Sequence, residues 1–156
     1  MKFLAMVLLT VGMGTLGNEH AKRLTSHTRQ LTALLLDALR IEKEMEWEAP
    51  TAAVLFHRLK SPVFQRAAEW MEKGIAPEEA MECAAKHLPK EEKEVLTDYA
   101  SVLLQENPAA QVRGAKLLSE RLMQMEIGAR EKEKRLAGVY RLTGVLCGLF
   151  VSLLLL

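Results

Sequence analysis

Aromatic side chains make up only 5% of the 156 residues, and charge is nearly balanced, with 21 Lys and Arg against 20 Asp and Glu. Few rings leave no platform for stacking bases, and a formal net charge of +1 leaves no local excess to hold a phosphate backbone. Nucleic acid is therefore not an expected partner. The two cysteines, Cys83 and Cys147, are too few and too far apart for a disulfide framework, which points to a reducing compartment. No segment of the middle alternates apolar and polar residues at period two, so strands are not expected. Catalytic patterns are lacking too. His20, His27, His57 and His87 form no H-x-x-x-H pair and no H-E-x-x-H motif, and Cys83 with His87 lacks a third ligand. The serines lie outside any G-x-S-x-G turn. No metal, no cofactor and no enzymatic activity are expected.

The residues that are present can build a core: 49% are hydrophobic and 26% charged, in a length suited to one domain. Two uncharged runs stand at residues 3–17 (FLAMVLLTVGMGTLG) and 142–156 (LTGVLCGLFVSLLLL). Lys22, Arg23 and Arg29 follow the first, and Arg130, Lys132, Lys134, Arg135 and Arg141 crowd the near side of the second. Each run is shorter than the ~20 residues that a spanning helix needs. Flanking residues extend both, and Arg141 can snorkel toward headgroups. Basic inner flanks place the middle of the chain in the cytoplasm. The expected organisation is an N-terminal membrane helix over 1–18, a cytoplasmic helical bundle over 19–141 and a C-terminal membrane helix over 142–156. A cleaved signal peptide would need a small-x-small site, which is missing. Gly12, Gly14 and Gly17 spell G-x-G-x-x-G with Asp37 about 20 residues on. The context fails for a dinucleotide fold, because residues 24–45 read as a helix, and the glycines suit close packing of membrane helices.

In the middle, Leu24, Leu31, Leu34, Ala38, Ile41 and Met45 form an apolar stripe at helical spacing, widened by Leu35 and Leu39. Pro50 closes that helix. A short helix over about 52–60 comes next; Ser61-Pro62 opens the third, and Gly74 ends it. Pro77 with Glu78 and Glu79, and Pro89 with Glu91 and Glu92, open two more. Asn107-Pro108 starts the last helix, whose stripe is Ala115, Leu118, Leu122, Met125, Ala129, Leu136 and Val139. The fold class is all-α: a six-helix cytoplasmic bundle flanked by N- and C-terminal transmembrane helices. If the first and last long helices are antiparallel neighbours, equal rise gives paired residue numbers summing to about 160. That register sets Leu24 beside Leu136 and Ala38 beside Leu122, with Arg29 near Glu131 and Arg40 near Glu120.

Glu42, Glu44, Glu46 and Glu48 rim the Ile41/Met45 seam as a solvated face or a docking surface for a basic partner, and nothing buries a carboxylate pair for catalysis. Trp47 and Trp70 read as bundle packing; an exposed one becomes an interface anchor. Together with Trp47, the four glutamates are the candidate interaction residues.

Several short blocks resemble the stage III sporulation protein AB family of endospore-forming bacteria. They are Ala21-x-Arg23-Leu24, Arg29-x-Leu31, Ile41-Glu42-x-Glu44-Met45-x-Trp47, Gly74-Ile75 leading to Glu79-Ala80, and Tyr140-Arg141-Leu142-x-Gly144-Val145-Leu146-x-Gly148-Leu149. The stretch Leu104-Gln105-Glu106-Asn107-Pro108 departs from the family's Leu-Gly turn followed by Ser-Asp. The resemblance implies a cytoplasmic domain similar to type II secretion inner-membrane platform proteins. It further implies a place in the channel joining mother cell and forespore, in the mother-cell membrane around the forespore. Implied partners are the cytoplasmic ATPase, other stage III sporulation channel proteins and the membrane; a homo-oligomer is allowed. No catalytic residue carries over. Alternatives are a generic membrane-anchored adaptor or a small self-assembling pore-former, which would want more polar residues in the apolar runs than Thr10, Thr15, Thr143 and Ser152.

Overall fold

The computed structural model describes residues 2–47, 51–104 and 107–154. These form six helices: α1 (Lys2–Trp47), α2 (Ala52–His57), α3 (Pro62–Glu72), α4 (Pro77–Ala84), α5 (Lys90–Val102) and α6 (Pro108–Leu154). No strand occurs among the described residues. The all-helical class agrees with the sequence reading, but the count of elements does not. The two apolar runs are not separate helices; they are the outer ends of α1, 46 residues long, and α6, 47 residues long. The cause is the absence of a proline anywhere between residues 2 and 47 or between 109 and 154. Glycine inside a helix costs only about 1 kcal/mol, so Gly12, Gly14 and Gly17 do not interrupt α1, and the nucleotide-loop pattern is helical. Among the described residues no helix is long and apolar enough to cross a membrane.

Prolines and one glycine set the short helices. Pro62 and Pro77 stand in the first turns of α3 and α4, where a missing N–H costs nothing. Pro89 instead takes the N-cap position, so α5 begins at Lys90 with Glu91 and Glu92 in its first turn. Gly74 lies just past α3 at φ 86°, a left-handed conformation that L side chains rarely adopt.

The chain divides into two compact units, residues 31–125 and the pairing of 1–30 with 126–156. In the first, Leu31, Leu34, Ala38, Ile41 and Met45 of α1 are buried, as are Ala115, Leu118 and Leu122 of α6. Phe56 and Phe64 are fully buried with ring centroids 5.1 Å apart, and Tyr99 lies 6.5 Å from Phe56. Such aromatic contacts contribute roughly 0.5–1.5 kcal/mol beyond area burial. The apolar stripes are narrower than their sequence pattern suggests. Leu39 is 41% exposed and Leu36 63% exposed, while on α6 Leu136 and Val139 are exposed.

The register expectation holds within each unit. In the 31–125 unit Ser119 Oγ donates to Glu42 Oε2 at 2.6 Å. In the other, Thr25 Oγ1 donates to Glu133 Oε1 at 2.7 Å and the His20 and Tyr140 rings lie 5.7 Å apart. All these pairs sum to about 160, as uniform helical rise requires. The charge pairs differ from expectation. Arg29 acts on Glu133, and Arg40 donates to the Arg58 carbonyl at 3.2 Å.

Candidate interaction surfaces

The paired ends of α1 and α6 meet at Gly17. A Cβ on Gly17 would overlap the Tyr140 carbonyl oxygen and stand 3.2 Å from Gly144 Cα, so only hydrogen fits between the backbones. Small residues at such a crossing are what let apolar helices approach closely. Around the crossing the surface stays apolar and open: Val11, Leu16, Leu142, Leu146, Phe150 and Leu153 are all more than half exposed.

A polar layer lies further from the apolar ends. Thr25 and Thr28 hydroxyls bond the Glu133 carboxylate, and with Arg29 and Arg130 nearby they hold it below the ordinary carboxylate range. The Thr28 hydroxyl shares its one hydrogen between that carboxylate and the Leu24 carbonyl 3.0 Å away. Glu126 is buried and pairs with Arg130. Because Glu133 is more acidic when folded, its contribution is present above the unfolded-state value and lost as pH falls through the depressed folded value. Acidification is therefore expected to loosen this helix pair, and Glu133→Gln should flatten that acid limb of the melting-temperature profile.

On α1 the acidic cluster divides. Glu42 accepts from Ser119, and Glu44 Oε2 receives Arg58 Nη1 at 3.4 Å, so both are engaged within the bundle. Glu46 is exposed, whereas Glu48 lies outside the described residues. Trp47 is 81% exposed. The packing role read for it from sequence does not occur, because residue 47 ends α1 two residues beyond the buried Met45. Trp70 is 38% exposed and carries the Lys73 ammonium 4.7 Å from its ring centroid, again a surface position. An indole left this open is the feature of an interface anchor.

Sequence reasoning passed over Asp37. Its buried carboxylate accepts from the Lys60 amide at 3.1 Å and the Ser61 amide at 2.5 Å. Asp37, Arg40 and Glu44 stand at i, i+3 and i+7 on one face of α1, and all three hold the α2–α3 turn. No sequence pattern signals such a clasp, since its two sides are more than a dozen residues apart. It also passed over the groove between α5 and α6. There Val95, Tyr99, Val102, Gly114 and Leu118 line a cavity of about 70 Å³. Tyr99 is buried, its hydroxyl has no hydrogen-bond partner among the described residues, and burial pushes its pKa upward.

Among the described residues, no group of three or more His, Cys, Asp or Glu could hold a metal ion. Cys83 and Cys147 are free and exposed. His57 pairs with Glu72 at 2.8 Å on the surface, and Glu82 is held below the usual carboxylate range by the Lys93 ammonium 2.7 Å away.

The fold and these surfaces define an all-helical protein whose notable features are uncovered apolar and tryptophan surfaces. The chain belongs to the stage III sporulation protein AB family, whose model matches residues 2–156. A solved structure titled stage III sporulation protein AB is similar in fold, with a TM-score of 0.57 and 23% identity, covering 68% of this chain and 94% of that one. No curated protein matches the sequence.

Proposed function

We propose that this chain is a non-enzymatic, membrane-attached scaffold of the sporulation channel between mother cell and forespore, docking a cytoplasmic ATPase and other channel proteins. The observation that carries the reading is the open apolar surface on the paired ends of α1 and α6, closed at Gly17. Each apolar run covers only about 22 Å as a helix against ~30 Å of hydrocarbon. Insertion therefore rests on the two runs entering as a pair, with the basic residues Lys22, Arg23, Lys134, Arg135 and Arg141 at the headgroups. In this reading residues 1–18 and 142–156 lie in the mother-cell membrane around the forespore and 19–141 face the cytoplasm.

Fractionation of sporulating cells tests attachment. The chain is expected in the carbonate-resistant membrane pellet, with residues 19–141 cut by protease only in inverted vesicles; recovery in the soluble fraction overturns attachment. Docking is assigned to Trp47 with Glu46 and Glu48. Trp47→Ala should weaken ATPase co-purification about 30-fold, the scale of a hot-spot tryptophan. Glu46→Lys with Glu48→Lys should weaken it further while altering stability by no more than ~0.5 kcal/mol. Undiminished co-purification with all three changed would return these side chains to a solvated face.

A further inference from the structure

Two surfaces of the 31–125 unit are complementary in charge and in apolar pattern. The first is the outer face of α1. Leu36 is 63% exposed, Leu39 41% exposed, and Arg40 and Lys43 are exposed beside them. At 3.6 residues per turn these four share one face, opposite in sense to the buried Leu34, Ala38, Ile41 and Met45. Glu42 and Glu44 lie to either side, bonded by Ser119 and Arg58, so Arg40 and Lys43 are the charges at the middle of this face, with the exposed Glu46 at its edge. Arg40 keeps its charge at the surface while it donates to the Arg58 carbonyl.

The second surface is the α5/α6 groove. Glu91, Glu94 and Asp98 stand at i, i+3 and i+7 along α5 and are exposed. Asp98 also lines the 70 Å³ cavity with Val95, Val102 and Leu118, with Leu117 49% exposed at its edge, while Glu91 and Glu94 line the adjoining depression that shares Val95, Asp98 and Arg121 with it. The cavity volume is several times what one water occupies, so the tip of an aliphatic side chain fits. Tyr99 also lines the groove, its buried hydroxyl without a hydrogen-bond partner among the described residues. Arg121 spans to Asp98 at 3.1 Å, which leaves Glu91 and Glu94 as the acidic edge. Glu94 carries only a solvent-exposed pair with Lys90 at 3.6 Å, which an incoming cation can displace at little cost.

The geometry points to head-to-tail self-association: the α1 face of one copy docks into the α5/α6 groove of a second copy. We propose Leu36 as the aliphatic side chain entering the cavity, with Lys43 meeting Glu94. Each copy carries both surfaces in different places, so the contact is heterologous and repeats around a ring or along an open chain instead of ending at a two-fold dimer. Trp47 lies on the same side of α1, one turn beyond Lys43, at the end of the contact; the apolar ends are not part of it, so it stands or falls separately from membrane attachment.

Sedimentation velocity of the full chain in detergent micelles tests it. The wild type should form species larger than a dimer as concentration rises. Leu36→Glu and Glu94→Lys, both on exposed side chains, should each weaken association at least 10-fold without changing the melting temperature. A mixture of the two variants retains one intact α1 face and one intact groove, and should give dimers and nothing larger. Lys43→Glu should weaken association alone and regain it when combined with Glu94→Lys. A wild type that stays monomeric, single variants that still assemble, or a mixture that stays monomeric would each overturn the proposal.

Discussion

Replacing Asp37 with Ala is expected to lower the unfolding free energy by about 3 kcal/mol, from the loss of two bonds to a charged acceptor at roughly 1.5 kcal/mol each. The carboxylate is buried on α1 and accepts from the amides of Lys60 and Ser61. Alanine removes both acceptors and leaves two amide donors facing an apolar side chain, which is worse than never having had the bonds. For a chain of this length about 3 kcal/mol corresponds to a melting-temperature drop of roughly 6–12 °C. Asp37→Asn keeps one oxygen and should recover about half of that. Amide exchange at residues 60 and 61 should quicken in the alanine variant before exchange in α5 does, because Arg40 and Glu44 still grip Arg58. A melting temperature within about 2 °C of wild type would show that water replaces the carboxylate, and that Asp37 is not the clasp described here.

The same clasp shows where sequence reading succeeds and where it stops. Helix type and the starts of the short helices were legible because their causes are local: Pro62 and Pro77 in first turns, Gly74 with its positive φ, and the Leu31–Met45 stripe at helical period. The α1/α6 register within each unit was legible too, because neighbouring helices rise at the same rate per residue. Asp37 was read only as a nucleotide-fold coincidence, since its partners at 60 and 61 are set by how α2 and α3 fold back. Glu42 and Glu44 looked like solvated rims for the same reason; their partners, Ser119 and Arg58, belong to other elements. Periodicity also cannot say how wide a stripe is buried. Leu36 and Leu39 carry the same apolar signal as Leu34 and Leu35, yet they face outward. Trp47 was undecidable for a related reason: whether a terminal tryptophan packs depends on the path of the chain beyond the helix, not on the helix itself.

Glycine-to-alanine changes at two positions of α1 are expected to act with opposite sign. Gly12 has nothing within 4 Å of the place where a Cβ would stand. Alanine there reduces the freedom of the unfolded chain and should stabilise the helix by up to about 1 kcal/mol. At Gly17 the added methyl would overlap the Tyr140 carbonyl oxygen and press on Gly144 Cα at 3.2 Å. Neither atom can turn aside as a side-chain tip would, because both belong to the backbone of α6 and are held by its hydrogen-bond ladder. The two helices must separate, and overpacking of this kind costs typically 1–3 kcal/mol. The helix-propensity gain is common to both positions and cancels, so the two alanine variants should differ by the overpacking cost, roughly 1–3 kcal/mol in detergent-solubilised protein. Separation should also pull the His20 and Tyr140 rings apart, now 5.7 Å between centroids, and Tyr140 fluorescence or ring proton shifts report that directly. Equal melting temperatures for Gly12→Ala and Gly17→Ala would mean that the helix ends do not cross at Gly17. The paired-insertion reading would then lose its support, because two separated runs of about 22 Å would each have to cross the bilayer alone.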